Sequence, residues 1–119
     1  MLKIYHLSSC TTCQRIIKEL QPGGEVVMQD IKTESITPEQ IDEMKKMSGS
    51  FESLFSRRAM KYRSMGLHEM DLNEEDYRKY ILEEYTFLKR PVMIFGDEIF
   101  VGNTKKTVAA AAEKLAQLS

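Results

Sequence analysis

Two cysteines two residues apart, Cys10-Thr11-Thr12-Cys13, are the residues of this 119-residue chain whose type and spacing best fit chemistry. A thiolate attacks disulfides and other oxidised centres, and a second thiol close by can release the adduct by forming an intramolecular disulfide. Leu2 to His6 is a short β-rich run, and Thr12 to Leu20 carries Ile16, Ile17 and Leu20 at helical spacing. A strand that enters a helix through C-x-x-C sets the first sulfur at the helix N-terminus, where unpaired N–H groups and the macrodipole favour a thiolate. The second sulfur lies one helical turn inward, within reach of a mixed disulfide on the first. Zinc is the competing use of such a pair, but a four-coordinate site needs two further ligands, and His6 and His68 form no second pair. No metal is expected. Two unrelated buried thiols would fit the spacing too, yet the strand-turn-helix setting favours a thiol redox site.

These elements belong to a chain with 42% hydrophobic and 29% charged residues, enough for one globular domain over residues 1–119 with a core of its own. Seventeen Lys and Arg stand against 18 Asp and Glu, a formal net charge of -1, which gives no electrostatic reason to expect direct nucleic-acid or membrane-surface binding. The first residues, MLKIYHL, lack a charged region followed by a long apolar one. No apolar run approaches the ~18 residues a bilayer requires. A cytoplasmic protein is expected, and in that compartment a cysteine pair is more often catalytic or redox-sensing than structural.

Beyond the first helix, Gln21-Pro22-Gly23-Gly24 is a turn cluster and Glu25 to Ile31 reads as a second strand, parallel to the first across a crossover helix. Thr37-Pro38-Glu39-Gln40 then carries an N-cap, a proline at the first helical position and a Gln placed for a capping box; Ile41, Met44 and Met47 follow as its apolar stripe. Phe51 to Met65 reads as short helical turns. Asn73 or Asp71 caps a longer helix in which Tyr77, Tyr80, Ile81, Tyr85 and Leu88 recur at helical intervals. These Met and Tyr stripes are core packing. Pro91 to Phe95 reads as a strand, Gly96-Asp97 as a hairpin turn, Glu98 to Val101 as its antiparallel partner, and Thr104 to Leu118 as a final helix facing inward with Val108, Ala111, Ala112 and Leu115. The order is β-α-β, a helical insertion at approximately 35–88, then β-β-α. That is an α/β chain with the thioredoxin-like (glutaredoxin-like) arrangement of a small mixed sheet. In such proteins a proline opening the third strand is usually cis and faces the cysteines, which implies the same of Pro91.

Four pieces of the sequence also match a narrower family: Ile4-Tyr5-His6 with Cys10, Arg58 ahead of Tyr62 and Gly66-Leu67, Leu88-Lys89-Arg90-Pro91, and Val101-Gly102. In their order and spacing the chain resembles the family of the glutaredoxin-dependent arsenate reductases (ArsC) and the Spx-type redox regulators of transcription. The resemblance implies Cys10 as nucleophile and Arg58 and Arg90 as oxyanion donors, with Arg57 able to stand in for Arg58. Arginine suits this task because its planar fork makes two parallel charge-assisted bonds to an oxyanion. His6 matches the reductase histidine, a support for the Cys10 thiolate. The implied substrate is arsenate or a small disulfide or glutathione adduct. Glutathione with glutaredoxin, or thioredoxin, would be the external reductant, with no bound cofactor.

This chain departs from the reductases at three places. Leu7-Ser8 stands for Asn-Pro, Gln14 for an Arg, and Gly102-Asn103 for a third oxyanion Arg. Spx-type proteins carry C-x-x-C as this chain does, and use it as a switch while binding the α subunit of RNA polymerase. Both a thiol oxidoreductase and a redox-switched regulator are therefore consistent with the sequence.

Overall fold

The computed structural model describes residues 1–118, which divide into two compact units: residues 1–34 with 90–118, and Ser35–Lys89. In the first unit β1 (Leu2–His6) leads into α1 (Thr11–Leu20) and then β2 (Val27–Asp30). The chain returns to this unit as β3 (Val92–Phe95), β4 (Glu98–Val101) and α5 (Lys105–Leu118). The strands form one mixed sheet in the order β2-β1-β3-β4. β1 runs parallel to β2, from Lys3 opposite Val27 to His6 opposite Asp30. It runs antiparallel to β3, from Leu2 opposite Phe95 to Tyr5 opposite Val92. The β3–β4 hairpin turns at Gly96-Asp97, where Gly96 takes φ +67°, a left-handed conformation that glycine adopts without steric penalty.

β3 is buried along its whole length, as expected of a central strand with apolar residues on both faces. Ile4, Met93 and Phe95 project to one side, where Ala111 and Leu115 of α5 and Ile17 and Leu20 of α1 pack with them. This layer fixes α1 against the sheet, and so fixes the turn that carries the cysteines. The second strand is shorter than expected. Glu25 and Val26 belong to a turn closed by Val26 N–H donating to the Gly23 carbonyl, so pairing begins only at Val27. Pro91 likewise lies just ahead of β3, and the Arg90–Pro91 peptide is cis.

The second unit is helical: α2 (Pro38–Ser48), α3 (Met60–Ser64) and α4 (Glu74–Glu83), with 3-10 turns at Glu52–Leu54, Leu67–Glu69 and Tyr85–Phe87. Thr37 and Gln40 form a full capping box on α2, and Asn73 and Asp76 form another on α4. Arg78 of α4 holds Asp42 of α2 through Nε and Nη2 at 2.9 and 3.2 Å. The core of this unit is aromatic. Phe55 is fully buried, stacked on Phe87 at 5.1 Å between ring centres and tilted against Tyr77 at 4.9 Å. α4 stops earlier than its apolar stripe suggests. Glu84 turns extended (φ -141°, ψ 111°), and Tyr85 and Leu88 fall in and after the 3-10 turn. That turn delivers the Phe87 carbonyl to Ser56 N–H at 2.7 Å, tying the segments before α3 and after α4 together.

Candidate active site

Cys10 is the N-cap of α1. Its backbone is extended (φ -91°, ψ 110°), and its Sγ accepts from the Cys13 N–H at 3.5 Å. A sulfur in this role takes up one of the helix donors that the backbone leaves unpaired. Cys10 is partly exposed, whereas Cys13 is fully buried on the inner face of the helix beside Ile16; neither is in a disulfide. Their acidities diverge for physical reasons. Burial pushes the Cys10 thiol up, but the Cys13 N–H, the Cys13 side chain and the Arg90 guanidinium outweigh it and hold Cys10 below the ordinary thiol value. Burial pushes Cys13 up to about 11, with the hydrogen bond and charge of Cys10 adding to the rise and the Leu7 N–H and Arg90 opposing it. The partly exposed thiol is therefore the more acidic of the two and the buried one the less.

The approach to Cys10 is built on main-chain groups. Cys10 N–H donates to the Leu7 carbonyl at 3.0 Å, and Gln14 N–H donates to the Cys10 carbonyl at 3.1 Å. The Gln14 side-chain amide, Nε2, also donates to the Leu7 carbonyl at 3.1 Å and lies 3.4 Å from His6 Nδ1. Asp30, at the end of β2, accepts from Ser8 N–H at 3.4 Å and Lys32 N–H at 3.1 Å. The Ser8 hydroxyl is the main reason its carboxyl sits below the usual range, with the Lys32 and Ser8 N–H groups adding to it. On the β3 side, Gly102 N–H donates to the Pro91 carbonyl at 2.9 Å and anchors the peptide next to Arg90.

The first unit thus gathers Cys10, Cys13, His6, Arg90 and Pro91. His6 is turned toward Gln14, and the positive charge that favours the Cys10 thiolate comes from Arg90. Arg57 and Arg58 belong to the second unit, both exposed in the turn before α3. Arg57 is committed there: its Nη2 donates to Glu52 Oε2 at 2.7 Å and to the Tyr77 hydroxyl at 3.0 Å, with the guanidinium 5.7 Å over the Tyr77 ring. In the sequence Gln14 stands out only as a departure from the reductase pattern, and nothing there marks the Leu7 peptide or Asp30. A main-chain partner leaves no trace in side-chain spacing. Among the described residues, no three His, Cys, Asp or Glu side chains come together to hold a metal ion.

A comparison with known families settles the affiliation, since the ArsC family model matches residues 5–111. The chain belongs to the ArsC family. None of the curated proteins matches it. Among solved structures, this ArsC-family chain is similar to the YFFB protein, with a TM-score of 0.77 at 22% identity over 94% of this chain and 99% of that one. The arsenate reductase from Vibrio cholerae aligns with a TM-score of 0.77 at 15% identity, covering 92% and 96%. SACOL0876 from Staphylococcus aureus COL aligns with a TM-score of 0.74 at 24% identity, covering 93% and 98%. These likenesses establish the thioredoxin-like fold over nearly the whole length of each chain. Among the described residues, no helix is long and apolar enough to cross a membrane.

Proposed function

We propose that this ArsC-family chain is a thiol-dependent oxidoreductase in which Cys10 attacks an oxidised substrate and Cys13 resolves the adduct. The observation that carries the reading is the split between the two thiols: Cys10, partly exposed at the helix N-terminus and held below the ordinary thiol value by Cys13 and Arg90, beside Cys13, buried and pushed up to about 11. With a disulfide substrate, the Cys10 thiolate forms a mixed disulfide and expels the first thiolate. Cys13 then gives up its proton, attacks Cys10 Sγ and expels the second. With arsenate, the Cys10 thiolate bonds to arsenic as water leaves. Attack of Cys13 on Cys10 Sγ then sends the S–As bonding pair to arsenic, giving arsenite and the Cys10–Cys13 disulfide. Either way two electrons leave the dithiol, and an external dithiol or two glutathione thiols return them.

The first step prepares the second. Once Cys10 is bonded, its negative charge is gone, and one cause of the high Cys13 value goes with it. The Leu7 N–H and the Arg90 charge remain to favour a Cys13 thiolate. Arg90 is also the oxyanion donor beside the nucleophile, while the family resemblance assigns Arg58 a second donor role.

A second reading, a redox-switched binder of a partner such as the RNA polymerase α subunit, draws on the capping role of Cys10, because a disulfide removes the charged acceptor from the start of α1. A coupled turnover assay separates the two. Reduced protein is given arsenate or a glutathione mixed disulfide, with glutathione plus glutaredoxin in one series and thioredoxin in another. The enzyme reading expects turnover that vanishes in Cys10→Ser, depends on Cys13 when no small thiol is present, and shows a raised KM in Arg58→Ala. No turnover on either substrate class, with the disulfide still forming under mild peroxide, overturns it in favour of the switch.

A further inference from the structure

We propose that Gln14 is a positioning residue for the Cys10 thiolate: its side-chain amide donates to the Leu7 carbonyl and so fixes the turn from which Cys10 presents Sγ to the Cys13 N–H. The assignment rests on the reading of Cys10 as the nucleophile, and it follows from how many of the bonds around Cys10 pass through Gln14. The backbone N–H of Gln14 takes the Cys10 carbonyl at 3.1 Å, and its side chain takes the Leu7 carbonyl at 3.1 Å. That same Leu7 carbonyl receives the Cys10 N–H at 3.0 Å. Cys10 is therefore held on its carbonyl side by the Gln14 main chain, and on its N–H side by an acceptor that the Gln14 side chain also holds. The Leu7 peptide serves the second sulfur as well, since its N–H favours the Cys13 thiolate.

The chemistry of the amide leaves one orientation. The Leu7 carbonyl accepts only, so the Gln14 atom facing it is the NH2 nitrogen and not the oxygen. The same nitrogen lies 3.4 Å from His6 Nδ1, at the end of β1. Gln14 thus joins the end of β1 to the first turn of α1, and the three residues that follow Leu7 are carried between those fixed points. Gln14 itself is exposed and makes no contribution to the apolar layer under α1, so its side chain has a use other than packing.

The test reads Cys10 directly, without a substrate. Site-resolved iodoacetamide alkylation of the reduced protein, followed by mass spectrometry from pH 4 to 10, gives the midpoint for Cys10 in wild type, Gln14→Met, Gln14→Glu and Gln14→Arg. Met matches Gln in size but donates nothing. It is expected to move the midpoint upward and to slow alkylation by about fivefold at pH values below the wild-type midpoint, what one ordinary hydrogen bond is worth, with the high-pH plateau kept. Glu, which sets an acceptor against the Leu7 carbonyl, is expected to move it further, and Arg, which restores the donor, to return it to or below the wild-type value. A midpoint that shifts in Glu and Arg but stays in place in a folded Gln14→Met reduces Gln14 to a charge effect and overturns the proposal. Should Gln14→Met fail to fold, Gln14→Ala decides, because it too removes the donor without adding a charge, and an unshifted midpoint there overturns the proposal equally. Absence of turnover in wild type with a low Cys10 midpoint bears on the enzyme reading alone.

Discussion

At the scale of single residues, the site works through a difference between two identical functional groups. Cys10 and Cys13 are both thiols, yet one meets a helix N–H and a guanidinium at the surface, and the other lies in apolar surroundings. Arg90 is the strongest charge in this arrangement, and removing it tests the electrostatic account apart from the hydrogen bonds. Arg90→Gln is expected to raise the pH midpoint of Cys10 alkylation, and Arg90→Lys, which keeps the charge and loses the fork, to restore part of the shift. Equal midpoints in wild type and Arg90→Gln would leave the Cys13 N–H and side chain as the whole cause. This difference was half legible in the sequence: the C-x-x-C at a strand-to-helix junction places Cys10 at the cap of α1, because capping is local. The part that depends on Arg90 required the chain to return eighty residues later, and no spacing rule encodes that approach. Gln14 was invisible for a related reason, as a polar residue on an exposed helix face reads as solvated until its main-chain partner is known.

At the scale of elements, what the sequence made legible are the features that a few neighbouring residues decide. The capping boxes at Thr37 and Asn73 and the Gly96-Asp97 hairpin all occur where turn and cap chemistry required them. The strand and helix ends that moved had no such marker. Glu84 is neither glycine nor proline, yet α4 ends there because Phe87 is drawn under Phe55 and the Phe87 carbonyl toward Ser56. The aromatic cluster therefore overrides the helical stripe, and its weight is measurable. Phe55→Ala, which empties the centre of the Phe55–Tyr77–Phe87 packing, is expected to lower the unfolding free energy by about 3–5 kcal/mol. Asn73→Ala, which deletes only a cap, is expected to lower it by about 1 kcal/mol. Denaturant titrations of the two variants check the ordering, and a cap loss as large as the ring loss would contradict this account of α4.

At the scale of the whole molecule, the state of the dithiol feeds back on stability, and its sign can be worked out. Folding holds Cys10 below its ordinary value of 9.0, so the thiolate contributes stability that is fully present above that value and is lost as pH falls through the folded one. Cys13 acts oppositely, but only between 9.0 and about 11, where the unfolded chain releases a proton that the fold retains. Below pH 9 the Cys10 contribution therefore governs the reduced protein. Oxidation to the Cys10–Cys13 disulfide abolishes this thiolate and the attraction of Arg90 for it. In exchange it closes a loop of only a few residues, which removes little entropy from the unfolded chain, unlike the long loops that make structural disulfides stabilising. The reduced protein is accordingly expected to melt at or above the oxidised one at pH 8, with the gap closing as pH is lowered through the folded Cys10 value. Melting scans with dithiothreitol and after diamide, from pH 5 to 8.5, check this. An oxidised form that melts several degrees higher throughout that range would mean that the cross-link outweighs the thiolate, and that the Cys10–Cys13 pair stabilises the fold more than it serves electron transfer.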